Sequence, residues 1–134
     1  MKLTNESLGY VLLRIGVGLD FLAHGLARIG GLPAFAESMK EMFGKSWLPE
    51  ALVVISAYAI PPVELIVGIG IGLGLFLRPA LLIAGVEMWV LLFGTCLIQK
   101  WDIAGLQLIY LLLLALLTSA LRYDRFSIDV SHRR

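Results

Sequence analysis

This sequence predicts an all-α integral membrane protein: a four-helix bundle with an amphipathic surface helix between its first and second spans. Three observations carry that reading. The chain is 59% hydrophobic and only 16% charged, its mean hydropathy is +0.88, and four of its apolar stretches are long enough to cross a bilayer. With 134 residues, 1–134 is expected to form a single transmembrane domain in which any site shares its helices with the scaffold.

The four stretches run roughly from Leu8 to Ile29, Leu52 to Leu77, Pro79 to Ile98 and Ile103 to Leu121, each near the roughly 20 residues that a spanning helix needs. The first follows the polar opening MKLTNES and outlasts a signal-peptide core without a small-residue exit, so it reads as a retained helix. After it, the segment from Gly30 to Glu50 sets Leu32, Phe35, Met39, Met42 and Phe43 at helical spacing beside Glu37, Lys40 and Glu41. That pattern predicts a helix lying at the membrane surface.

In the second span Pro61 and Pro62 admit two readings. They either kink the helix beside Glu64, releasing carbonyls of the preceding turn, or begin its regular part. The run GIGIGLG from Gly68 to Gly74 lacks the strand that a dinucleotide loop requires. Its small-xxx-small pairs, Gly68 with Gly72 and Gly70 with Gly74, predict close helix packing instead. The links at Leu77 to Pro79 and Lys100 to Asp102 are short, which makes the last three spans antiparallel neighbours.

Lysine and arginine placement predicts that both termini are cytoplasmic. Lys2, Arg78, Arg122, Arg125, Arg133 and Arg134 gather at one end, against Arg28, Lys40, Lys45 and Lys100 at the other. Trp47, Trp101, Tyr110 and Tyr123 read as interfacial anchors. A net charge of +1 with scattered basic residues excludes a nucleic-acid footprint. The lone Cys96, read as a small buried apolar residue, excludes an intrachain disulfide or a two-cysteine redox pair. His24 is the only histidine within the spans, His132 lying in the tail, so neither a bis-histidine haem nor a zinc site is expected. No flavin or metal motif is present.

The chemistry of the chain lies in its intramembrane ionisable residues. Arg14, Asp20, His24 and Arg28 fall within a face of roughly 120° on the first span, and such a stripe cannot face lipid. At about 1.5 Å per residue, Glu64 matches the depth of Asp20, Glu87 that of Arg14, and Gln107 that of His24. The expected pairs are therefore Arg14 with Glu87, Asp20 with Glu64, and His24 with Gln107. Asp20 and Glu64 would share a proton unless a cation intervenes. Arg28, near the outer interface, is long enough to snorkel. Asp20, His24 and Glu64 are the candidate catalytic residues, and Arg14, Arg28, Glu87 and Gln107 the candidate substrate-binding ones. Beside this stands the reading that buried pairs only fix helix register.

The segment LLRIGVGLDFLAHGLARI resembles the opening of the DoxX family through Arg14, Gly16, Gly18, Phe21, His24, Gly25 and Arg28. The segment PPVELIVGIGIGLGLFLRPALL is similar to the family's second helix through Glu64, Gly68, Leu73, Gly74 and Arg78, and RYDRFSID to its close through Tyr123, Ser127 and Asp129. Where acidic residues would be expected early in the fourth span stands Gln107. The resemblance implies a four-helix protein of the bacterial inner membrane. Some relatives act as subunits of thiosulfate:quinone oxidoreductase and others are linked to redox complexes.

Three functions are compatible with these residues. The first is a subunit of a quinone-linked redox system, its cofactor a quinone and its electrons drawn from a soluble redox partner or a directly bound substrate. There His24 or Arg14 would hold the ring, and Asp20 and Glu64 would handle its protons. The second is a transporter of small anions or protons, built as a homo-oligomer. The third is a membrane anchor for a soluble enzyme.

Overall fold

A computed structural model of the chain describes residues 4–131. Lys2, Arg133 and Arg134, three of the six basic residues at the end expected to be cytoplasmic, lie outside the described residues, as does His132. Five principal helices are α1 (Asn5–Ile29), α2 (Leu32–Phe43), α3 (Glu50–Leu73), α4 (Leu77–Leu97) and α5 (Trp101–Ser119), and a 3-10 turn (Leu121–Tyr123) leads to the short α6 (Ile128–Ser131). Each of α1, α3, α4 and α5 is long and apolar enough to cross a membrane. Their outward faces carry large apolar side chains such as Leu12, Ile66, Trp89 and Leu106, a distribution that lipid tolerates and water does not.

The four spans close into an up-and-down ring, α1 against α3, α3 against α4, α4 against α5 and α5 back against α1. The start of α1 and the α3–α4 turn share one end of the bundle, called here the lower end. At the upper end α2 crosses the bundle. Phe35, near its start, lies under the Arg28 guanidinium of α1, 5.0 Å from ring centroid to Cζ, and Phe43, at its end, stands against Gly94 of α4. The surface helix expected from the sequence is thus present, with its apolar face turned onto the bundle.

α1 begins with a capping box in which Thr4 and Ser7 satisfy each other's backbone amides. Glycines then let α1 and α3 meet backbone to backbone. A side chain at Gly18 would strike the backbone of Gly72, one at Gly68 that of Leu22, and one at Gly25 the Leu65 amide and the Pro61 carbonyl. Of the two predicted small-residue pairs, Gly68 with Gly72 therefore packs on α1. Gly70 faces Ala80 of α4, and Gly74 takes a different part.

Pro61 and Pro62 lie inside α3, which corrects the reading in which they start its regular part. Lacking amide hydrogens, they leave the Ala57 and Tyr58 carbonyls without their helical donors. α3 also ends four residues earlier than expected. Gly74 adopts φ 69°, its amide and that of Leu75 turn back to Gly70 and Ile71, and the helix closes at Leu73. The turn is held at both electrostatic ends. Arg14 donates from Nη1 to the carbonyls of Ile71 and Gly72 at 2.9 and 2.8 Å, a cation on the C-terminus of α3. Asp129 accepts from the amides of Phe76 and Leu77 at 2.9 and 2.8 Å, an anion on the N-terminus of α4. Those two bonds secure Phe76, whose φ of 46° is a left-handed conformation that a residue with a side chain adopts only under restraint.

Below the middle of the bundle the core is closely apolar, built from Tyr10, Val17, Phe21, Val67, Ile71, Leu77, Leu81 and Leu117. Above it the packing is open, although α1 and α3 stay in contact at Gly25.

Candidate functional site

The upper half holds a cavity of about 510 Å³, with walls from α1, α2, α3, α4 and α5. Apolar side chains form its roof and sides: Phe35, Met39, Met42 and Phe43 from α2, Ile60 from α3, Met88 and Leu91 from α4, and Ile103 from α5. Asp20, His24, Arg28, Glu64, Gln107 and Tyr110 supply its polar groups. Such a mixture, mostly apolar with a few converging polar groups, is the usual make-up of a small-molecule site.

The helix spacing of α1 brings Asp20, His24 and Arg28 to successive turns of one wall. His24 Nδ1 lies 2.9 Å from the Asp20 carbonyl oxygen and 3.3 Å from its carboxylate. A carbonyl only accepts, so Nδ1 carries the hydrogen in this arrangement, and in the neutral ring Nε2 is the acceptor open to a ligand. Across the cavity the Tyr110 hydroxyl faces the Asp20 carboxylate, and the Tyr110 ring meets Phe21 edge-on with centroids 6.3 Å apart.

Arg28 reaches inward and pairs with Glu64 through Nη1 and Oε1 at 2.5 Å. The expected snorkelling of Arg28 is therefore corrected. So is the pairing of Asp20 with Glu64: Glu64 pairs with Arg28, and Asp20 with His24. The second oxygen of Glu64 is buried without a hydrogen-bond partner, and so are both oxygens of Glu87. Glu87 lies within electrostatic reach of Glu64 and Arg28, not of Arg14. The proposed pair of Arg14 with Glu87 is not formed, because the carbonyls freed by the early end of α3 stand closer to Arg14. Arg14 is consequently a buried structural group at the lower end and does not line the cavity.

Gln107 lines the cavity but accepts from Thr95 Oγ1 at 2.7 Å and does not pair with His24. Of the seven candidates, Asp20, His24, Arg28, Glu64 and Gln107 converge on the cavity, Glu87 is buried on α4 without lining it, and Arg14 is excluded. Tyr110, read as an interfacial anchor, is a cavity residue. Cys96 is only partly buried, less than the sequence reading expected. No group of three or more metal-ligating side chains occurs among the described residues.

Outside the spans, Lys40 on the outer face of α2 reaches Glu37 at 3.0 Å and Glu50 at 3.3 Å, tying α2 to the start of α3. The hydrogen bond that Lys40 donates to Glu37, then that to Glu50, holds its ammonium above the ordinary lysine range.

Fold and cavity together define an integral membrane protein of the up-and-down four-helix class, with an amphipathic cavity roofed by a fifth helix. Residues 9–96 match the DoxX family, and the chain belongs to it. It is also similar to the protein named "Putative oxidoreductase CatD" of Bacillus subtilis (strain 168), at 33% identity over 122 residues, which cover 89% of this chain and 82% of that protein. No solved structure matches.

Proposed function

We propose that the chain works as one membrane domain that binds a quinone ring in the upper cavity, as the membrane subunit of a redox system. The observation that carries this reading is the cavity itself: room for a flat ring between apolar walls, with a histidine acceptor and an Arg28–Glu64 pair meeting at one side. Reduction of a quinone adds two electrons and two protons, one proton on each carbonyl oxygen. The buried carboxyl groups of Glu64 and Glu87 and the imidazole of His24 are suited to handle those protons. The electrons come from outside the chain, from a soluble partner or a directly bound reductant. The name of the Bacillus relative supports oxidoreductase chemistry.

The close apolar packing of Val17, Val67, Ile71, Leu81 and Leu117 beneath the cavity supports binding over conduction. The lower end carries Arg78, Arg122 and Arg125, all exposed, and we assign it to the cytoplasmic side of a bacterial inner membrane.

The test is a titration of purified protein with a short, tailless benzoquinone, beside His24→Ala and Glu64→Gln, with thermal unfolding recorded for each. Saturable binding that weakens about tenfold or more in folded variants supports the site. Absence of binding to the wild type overturns it.

A further inference from the structure

α3 and α4 frame two hollows, one above the other. The upper is the cavity, which Ile60 and Glu64 of α3 and Met88 and Val90 of α4 help to line. The lower is a groove of about 350 Å³ on the outer surface, between Ile66, Val67 and Gly70 of α3 and Pro79, Ala80 and Ile83 of α4. The two follow each other closely. Glu64 and Val67 are three residues apart on α3, within one turn, and Ile83 and Val90 stand two turns apart on one stripe of α4, roughly 10 Å along the axis.

Their chemistry changes in step. The cavity gathers the polar side chains, its rim at Val90 and Phe93 is apolar and more than half exposed, and every residue lining the groove is apolar. The groove is shaped by Gly70, where an added Cβ would come within 3.0 Å of Ala80 Cβ. A ligand matching this succession has a polar ring and a hydrocarbon chain attached to it.

We infer that the α3–α4 groove is a subsite for the hydrocarbon tail of a ring bound in the cavity, the tail leaving past Val90 and lying against Ile83 and Ile66. The inference rests on the quinone reading and narrows its substrate class to membrane quinones that carry a long apolar tail. Inside a bilayer the tail gains nothing by leaving water. What the groove supplies is dispersion contact in a fixed channel, so the effect depends on its shape.

The experiment compares a tailless benzoquinone with the same ring bearing a decyl tail. Both are titrated against protein in phospholipid nanodiscs, with affinities expressed per mole of lipid to remove simple partitioning. Ile83→Trp fills the groove without touching the polar side chains. Leu82→Trp, at an exposed residue lining neither hollow, is the control.

The expected result is a wild type that binds the tailed ring about tenfold more tightly than the tailless one. Ile83→Trp should abolish that preference while leaving tailless binding unchanged, and Leu82→Trp should alter neither. Equal affinity of the two rings for the wild type assigns the groove to lipid acyl chains and overturns the subsite while the ring site stands. An Ile83→Trp effect on both rings, or on neither, also overturns it. If neither ring binds the wild type, the quinone reading falls and the subsite with it.

Discussion

The Arg28 guanidinium on α1 stands 2.5 Å from the Glu64 carboxylate on α3, joining across the bundle two helices whose backbones already touch at Gly18 and Gly72. Glu64 is 3% exposed and Arg28 30%, so the carboxylate depends on its partner more than the guanidinium does. Arg28→Ala strands a buried charge and is expected to destabilise the bundle by about 3 kcal/mol, the lower part of the range for broken buried pairs. Glu64→Gln keeps an acceptor for Arg28 and should cost less. The double variant should recover part of the Arg28→Ala loss, as read by thermal unfolding in detergent.

Arg14 acts on the same fold from the other end. Arg14→Met leaves the Ile71 and Gly72 carbonyls without their charged donor and is expected to cost about 2 to 4 kcal/mol. Asp129→Asn weakens the cap on α4 by about 1 kcal/mol. Because both residues hold one turn, the double variant should lose less than the two single losses together. Ligand affinity in the remaining folded fraction should not change, a result that would separate Arg14 from the cavity residues.

Two glycines on α1 make opposite predictions. Gly18→Ala drives a methyl into the Gly72 backbone and should lower the unfolding temperature markedly, since backbone cannot swing aside as a side chain can. Gly16→Ala meets nothing within 4 Å and should be neutral or stabilising by up to about 1 kcal/mol through helix propensity.

For His24, nitrogen NMR of histidine-labelled protein distinguishes the two ring atoms. A ligand in the cavity should move the Nε2 resonance strongly and the Nδ1 resonance little, because Nδ1 is already committed to the Asp20 carbonyl. Asp20→Asn retains that backbone acceptor and should leave the tautomer in place. Equal movement of both resonances would show that the ring is not held this way.

The tie of α2 through Lys40 has a defined pH window. A lysine raised above its ordinary value of 10.5 contributes fully below that value and loses its contribution as pH rises through the higher folded value. Hydrogen exchange of the α2 amides should therefore show no loss of this tie between neutrality and mild alkali. High salt or Lys40→Gln should speed exchange there, as expected for an exposed, screened pair.

Much of the fold was legible because lipid imposes simple rules. Four apolar runs, short links and a glycine stripe are sufficient to define four antiparallel helices with α1 close to α3. The pairings were legible only as depths. Distance along a helix axis ranks Arg14 with Glu87 and Asp20 with Glu64, but partner choice also depends on rotation about the axis and on side-chain reach. Arg28 reaches inward to Glu64, a possibility hidden by reading it as a residue that points to the interface. Arg14 meets backbone carbonyls that exist as acceptors only because Gly74 ends α3 early. The cavity role of α2 left a signal in the apolar spacing of Phe35, Met39, Met42 and Phe43, equally consistent with a helix face laid on lipid. Tyr110 was misread because nearness to a span end says nothing about which way a ring faces.

The cap on α4 has a consequence for biogenesis. Leu77 and Asp129 are separated by 52 positions, so during synthesis α3 and α4 leave the ribosome well before the carboxylate that completes their turn. The hairpin must enter the membrane with Phe76 unsecured, and it acquires its final geometry only when the segment after α5 folds back beneath it. Translation order thus places the cap after the helices it holds, and a chain interrupted before residue 129 would keep all four spans and the Arg14 side of their turn while lacking the carboxylate that caps α4.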